Sequence, residues 1–153
     1  MPLSFGPSDK GILPDRKIAA LAEAGGICAA RPFAPDQIQP ASLDLRLGAI
    51  AYRVRASFLP GPGTAVARRI AELKLHEFAL TDGAVLETGC VYIVPLIESL
   101  ALPADIAAAT NPKSSTGRLD VFTRVIADET RGFDRVAAGY SKVLKEGVRE
   151  WLI

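Results

Sequence analysis

The chain is poor in the residues from which metal and disulfide sites are built. Its 153 residues contain two cysteines, Cys28 and Cys90, and one histidine, His76. Two cysteines so far apart do not make a disulfide framework, and both are expected to act as small buried apolar residues. A Cys/His zinc site takes three or four ligands, and three scattered side chains do not provide one. Neither Cys-x-x-Cys nor His-x-Glu occurs, so the signature of zinc-dependent base deaminases is absent. Any hydrolytic chemistry is expected to run without zinc. Net charge is also small, +1, which leaves no bulk field to attract nucleic acid or an anionic membrane. No apolar run approaches the roughly 20 residues of a membrane span. Residues 1–10 lack the basic start and apolar core of a signal peptide. These absences lead us to expect a soluble cytoplasmic protein with neither a nucleic-acid nor a membrane partner.

What is present is an ordinary globular balance, 49% apolar and 23% charged, in a chain long enough for one domain with a real core. Residues 1–13, rich in Pro, Gly and Ser, read as a flexible lead-in. Pro14-Asp15 opens a helix whose face is Ile18, Leu21 and Ala22, and Gly25-Gly26 ends it. In Gln39–Gly48 leucines alternate with Ser, Asp and Arg, the period of a half-buried strand. Residues 51–56 repeat that alternation. A loop over 59–63, a short helix over 65–76 and a turn at Thr81-Asp82-Gly83 follow. Residues 84–87 and 90–94 read as strands, the second closed by Pro95. Pro103-Ala104-Asp105 is a further turn. Short strands, turns and one early helix indicate a mainly β, barrel-like domain.

The densest chemistry lies in Lys113-Ser114-Ser115-Thr116-Gly117-Arg118. Lysine and arginine neutralise phosphate charge, hydroxyls and amides donate to its oxygens, and Gly117 permits close backbone approach. The order is not that of a P-loop. On spacing alone, a Ser/Thr/Gly surface turn with two solvated cations competes with a phosphate cradle.

Three segments together carry a family resemblance. Gln39–Gly48, Glu98 through Leu102-Pro103-Ala104-Asp105, and Lys113–Val121 resemble, in order and spacing, the dCTP deaminase branch of the dUTPase-like superfamily. The nearest likeness is to its long proteobacterial form with two domains in tandem. The resemblance covers roughly residues 11–140. It implies a distorted β barrel of the β-clip type with an N-terminal helix, assembled as a homotrimer with active sites between subunits. It further implies zinc-independent hydrolysis of dCTP to dUTP and ammonia, with Mg²⁺ accompanying the triphosphate. Lys113, Ser114, Ser115, Thr116, Gly117 and Arg118 would bind substrate, with Ser114 and Arg118 near the base and the reacting water. Asp134 would lie near the sugar, and Tyr140 takes the aromatic position after Gly139.

Water attack at C4 of cytosine needs a carboxylate to move protons. In the family it is a glutamate after Gly-Tyr-x-Gly-x-Leu-Tyr-x-Glu. Here Gly139-Tyr140 is followed by Ser141 and Lys142, and Gly147 stands where the glutamate is expected. Glu146 is one place early, which on a strand points it to the opposite face. Leu144, Val148 and Trp151 share a side at helical spacing, so the tail also reads as a short amphipathic helix. The sequence thus divides into a lead-in over 1–13, a deaminase-like domain over 14–140 and a divergent tail over 141–153. The expectation is a chain shortened at its C-terminus, with loss of activity as one consequence. Two alternatives stand beside deamination: dUTP diphosphate hydrolysis on the same scaffold, and a non-catalytic nucleotide-binding or assembly subunit.

Overall fold

The structure, a computed structural model, describes residues 10–141 and the backbone of Trp151 and Leu152. It opens with helix α1, Asp15–Glu23. Pro14 precedes it in extended conformation, and its carbonyl accepts the first helical hydrogen bonds, from the N–H groups of Lys17 and Ile18. Ile18 and Leu21 are buried on the inner face, as the helical period predicts. Gly25, at φ +79°, reverses the chain, and the Gly26 N–H returns to the Leu21 carbonyl at 2.8 Å. A Cβ at Gly26 would stand 2.4 Å from Leu21 Cδ1, so this stop is fixed by space as well as by dihedral.

The rest is mainly β. Two-stranded antiparallel pairs join β1 (Ile27–Ala29) to β7 (Glu98–Leu100), β2 (Ile38–Gln39) to β3 (Ser42–Leu43), and β8 (Ala108–Ala109) to β10 (Arg135–Val136). A five-stranded sheet runs β5-β4-β6-β11-β9. Its strands are β4 (Ile50–Val54), β5 (Lys74–Ala79), β6 (Val91–Pro95), β9 (Val125–Ile126) and β11 (Trp151–Leu152). These sheets do not close into a barrel among the described residues. Helix α2 (Val66–Leu73) packs on the large sheet, and α3 (Ser114–Gly117) is one turn. Two cores result. Ile18, Leu21, Ile27, Leu102, Ile106 and Val136 fill one around α1. Val54, Phe58, Val66, Ile70, Ile93 and Ile126 fill the other under α2.

Several sequence expectations need correction. The strand predicted over Gln39–Gly48 is broken: β3 ends at Leu43, and 44–48 is irregular apart from a bridge at Leu47. Its burial is also inverted, since Leu45 and Leu47 are exposed while Arg46 turns inward. The helix predicted to residue 76 stops at Leu73, because Lys74–Ala79 finds a full strand partner in β4. No strand forms over 84–87. Both cysteines are free and half-buried rather than buried. In the tail, Trp151 and Leu152 pair as a strand between β6 and β9, while Leu144 and Val148, the other positions of the amphipathic reading, lie outside the described residues. No described helix is long and apolar enough to cross a membrane.

Helix α2 has an extended Ala65 at its N-cap with no cap from its own side chain. The cap comes from Asp128, 5% exposed, whose Oδ1 accepts the Val66 N–H at 2.7 Å. Next to it, the Glu129 N–H bonds the Thr64 carbonyl. Replacing a capping carboxylate with alanine typically costs about 0.5–2 kcal/mol. Asp128→Ala is therefore expected to destabilise the protein by about 2 kcal/mol, at the upper end because the group is buried. Urea unfolding checks this, and a change below about 0.5 kcal/mol would exclude the capping role.

Candidate functional site

Glu98 lies in β7 and is 2% exposed. A carboxylate there is tolerated only when paired and hydrogen-bonded. Its Oε1 accepts from Gln37 Nε2 at 2.7 Å and from Arg46 Nε at 2.7 Å, and Oε2 accepts the Arg46 backbone N–H at 2.9 Å. Arg46 spends its other nitrogens on the carbonyls of Pro32, at 2.9 Å, and Arg31, at 3.1 Å. The Phe33 ring lies 6.0 Å from its guanidinium carbon, at the outer reach of a cation–π contact.

Gln37, also buried, carries this order outward. Its Oε1 accepts the Ala34 N–H, its Nε2 also donates to the Asp44 carbonyl, and its own carbonyl accepts the Asp44 N–H. The backbone of Asp44 is thereby held on both sides. Its side chain is left to face the segment predicted to bind phosphate, and Oδ2 accepts from Lys113 Nζ at 2.5 Å. The hydrogen bond that Lys113 donates to Asp44 and the carboxylate's negative charge hold the Lys113 ammonium pKa above its ordinary value of 10.5, against an opposing effect of desolvation.

The predicted cradle is a single exposed turn. The Lys113 carbonyl accepts from the N–H groups of Thr116 and Gly117, and the Ser114 carbonyl accepts from Arg118. Lys113, Ser114, Ser115, Gly117 and Arg118 are exposed and Thr116 is half-buried. Among the described residues Arg118 makes no side-chain hydrogen bond or ion pair, so its five N–H donors face outward. Leu119 and Phe122 follow, 76% and 84% exposed.

The other predicted residues lie outside this turn. Asp134, at φ +61°, is a latch. Its Oδ1 accepts from the Val125 N–H at 2.8 Å and Thr110 Oγ1 at 3.1 Å, while Oδ2 pairs with Arg124 Nη1 at 2.6 Å. Both oxygens are engaged within the chain, and Asp134 meets the cradle through Thr110, at the base of its loop. Tyr140 is half-buried against the α1 core, and its carbonyl accepts the Leu102 N–H at 2.7 Å. Glu146 lies outside the described residues. Among the described residues, no group of three or more Cys, His, Asp or Glu side chains is placed to hold a metal ion.

Sequence reasoning treated Asp44 and Arg46 as solvent-facing strand positions and gave Glu98 no role of its own. One signal for Glu98 was present. A carboxylate embedded in the apolar stretch from Val91 to Leu102 implies a buried cation nearby.

Comparison with known proteins gives a consistent result. Residues 9–148 match the family described as 2'-deoxycytidine 5'-triphosphate deaminase (DCD) N-terminal domain. A "dCTP deaminase, dUMP-forming" from Corynebacterium kroppenstedtii is 33% identical over 119 residues, 76% of this chain and 61% of that protein. One of the same name from Methanoculleus marisnigri is 36% identical over 93 residues, 59% of this chain and 46% of that protein. The crystal structure of 2'-deoxycytidine 5'-triphosphate deaminase from Agrobacterium tumefaciens superposes with a TM-score of 0.85 at 57% identity, covering 93% of this chain and 40% of that one. The chain therefore spans roughly half the length of these curated relatives, 61% and 46%, and less of the solved one.

Removing one partner of a buried ion pair costs about 3–5 kcal/mol. Arg46→Ala is expected to lose stability on that scale, because Glu98 is left charged in the interior; a loss below about 1 kcal/mol on urea unfolding would exclude the network as a structural anchor. The Lys113–Asp44 pair behaves differently with pH. A folded-state pKa raised above 10.5 makes the pair's contribution complete below that value and lost as pH rises through the folded value. Titration of the Lys113 ammonium by NMR is expected to give a midpoint above the ordinary lysine value of 10.5.

Proposed function

Because the chain belongs to the 2'-deoxycytidine 5'-triphosphate deaminase N-terminal domain family, we propose that it forms the nucleotide-binding part of an enzyme that deaminates dCTP. Water adds to C4 of the cytosine ring, ammonia leaves, and dUTP is formed. The observation that carries this reading is the exposed turn Lys113–Arg118, which offers an ammonium, hydroxyls and a free guanidinium from one place. Lys113, Ser115 and Thr116 bind phosphate oxygens, and Gly117 admits them close to the backbone. Ser114 and Arg118 face the base end, where they orient the attacking water and stabilise charge developing on the ring. Mg²⁺ enters with the triphosphate, as part of the substrate.

The proton shuttle is a carboxylate, taking a proton from water and delivering it to the ring and the departing amine. Glu146 is the sequence's candidate for that role. The shortage of Cys and His ligands supports a reaction without zinc. We propose a homotrimer with sites between subunits. Exposed Leu119, Val121 and Phe122, directly after the turn, are apolar surface that a second copy would cover. The free cysteines fit a reducing cytoplasmic setting.

A second reading adds a step. The curated relatives carry the words "dUMP-forming" in their names, which favours subsequent hydrolysis of dUTP to dUMP and pyrophosphate at the same site. Incubation of the purified chain with Mg·dCTP is expected to release one ammonia per dCTP consumed; dUMP with equimolar pyrophosphate marks the two-step reaction. Binding of dCTP with no turnover would instead support a nucleotide-binding subunit. Arg118→Ala is expected to lower kcat/KM by about 10²-fold, the scale for loss of one charge-stabilising donor. An unchanged value would remove Arg118 from the site.

A further inference from the structure

We infer that Asp44 is the positioning residue for Lys113, holding its ammonium where a nucleotide phosphate meets it. The inference rests on the deaminase reading for the ligand's identity, while the ion pair itself does not depend on it.

A lysine side chain has four rotatable bonds and, when free, loses rotamer freedom on being fixed. Lys113 is 64% exposed, so packing does not hold it. Asp44 does, at 2.5 Å. Asp44 in turn is fixed from below by both backbone hydrogen bonds to Gln37, and Gln37 by Glu98. The order of a buried carboxylate is thus transmitted through two residues, Gln37 and Asp44, to an exposed cation. An ammonium has three N–H donors. Asp44 uses one, and the others remain for phosphate oxygens. Asp36 adds to the field around Lys113, so the cation is held by charge as well as by the hydrogen bond. The carboxylate need not leave when the nucleotide arrives, and part of the cost of ordering the lysine is met before binding.

Two experiments test this, one without nucleotide. In the free protein, peptide-resolved acylation of lysines at mildly alkaline pH is expected to modify Lys113 several-fold faster in Asp44→Asn than in the original chain, with Lys10 and Lys17 as internal references. Equal rates would overturn the pairing. In the second, titration calorimetry with Mg·dCTP is expected to show about fivefold weaker binding by Asp44→Asn, the scale of an exposed ion pair, and no further weakening when Asp44→Asn is added to Lys113→Ala. Additive losses would show that Asp44 acts on the ligand by another route and overturn the positioning role. Circular dichroism melts of each variant separate unfolding from lost positioning. If the original chain binds no dCTP, the deaminase reading fails, and the acylation rates alone decide whether Asp44 holds Lys113.

Discussion

The buried charge of Glu98 organises the segment on which the candidate site stands. Glu98 sits in a short strand with almost no solvent contact, and its charge is tolerated because Arg46 and Gln37 converge on it from a different part of the chain. Satisfying that charge draws residues 31–46 into a defined path. Arg46 gathers the carbonyls of Arg31 and Pro32, and Gln37 ties together Ala34 and Asp44. A segment with only two-residue strands would otherwise have little to fix it, since isolated pairs of that length are marginal. A buried polar network with every member satisfied supplies specificity that apolar packing alone does not.

That network also accounts for the main difference between what the sequence implies and what the chain does. The alternation in Gln39–Gly48 reads as leucines inside and charges outside. In the structure Leu45 and Leu47 are exposed and the Arg46 head is drawn in, because its partner lies 52 residues further along the chain. Period-two patterning reports local amphipathicity and is blind to a partner of that separation. The same limit hid β1, β8, β9 and β10, each two or three residues long and defined by its pairing alone. By contrast α1, β4 and β6 were legible. The helix carries its own start and stop signals, and the strands carry enough apolar and β-branched residues to mark themselves.

The candidate site divides in the same way. Lys113–Arg118 was visible because it concentrates phosphate-binding groups in consecutive residues. Asp44 was within a recognised segment, yet its connection to Lys113 spans 69 residues and exists only once the Glu98 network has formed. Asp134 was visible as a residue but not as a latch: its three side-chain contacts join the base of the cradle loop to β9 through an αL backbone. The candidate site thus joins an exposed, composition-rich turn to buried groups that composition does not reveal.

The position of β11 has a consequence for how the protein is made. Trp151 and Leu152 occupy the gap between β6 and β9, pairing with both. Residues 91–95 and 125–126 are synthesised before the strand that joins them. At about 5–20 residues per second, the 26 residues from Ile126 to Leu152 take roughly one to five seconds to follow. For that interval β6 and β9 have no strand between them. Until Trp151 and Leu152 are added, β9 has no partner in the large sheet, so the sheet is completed only by a strand that follows it in the chain.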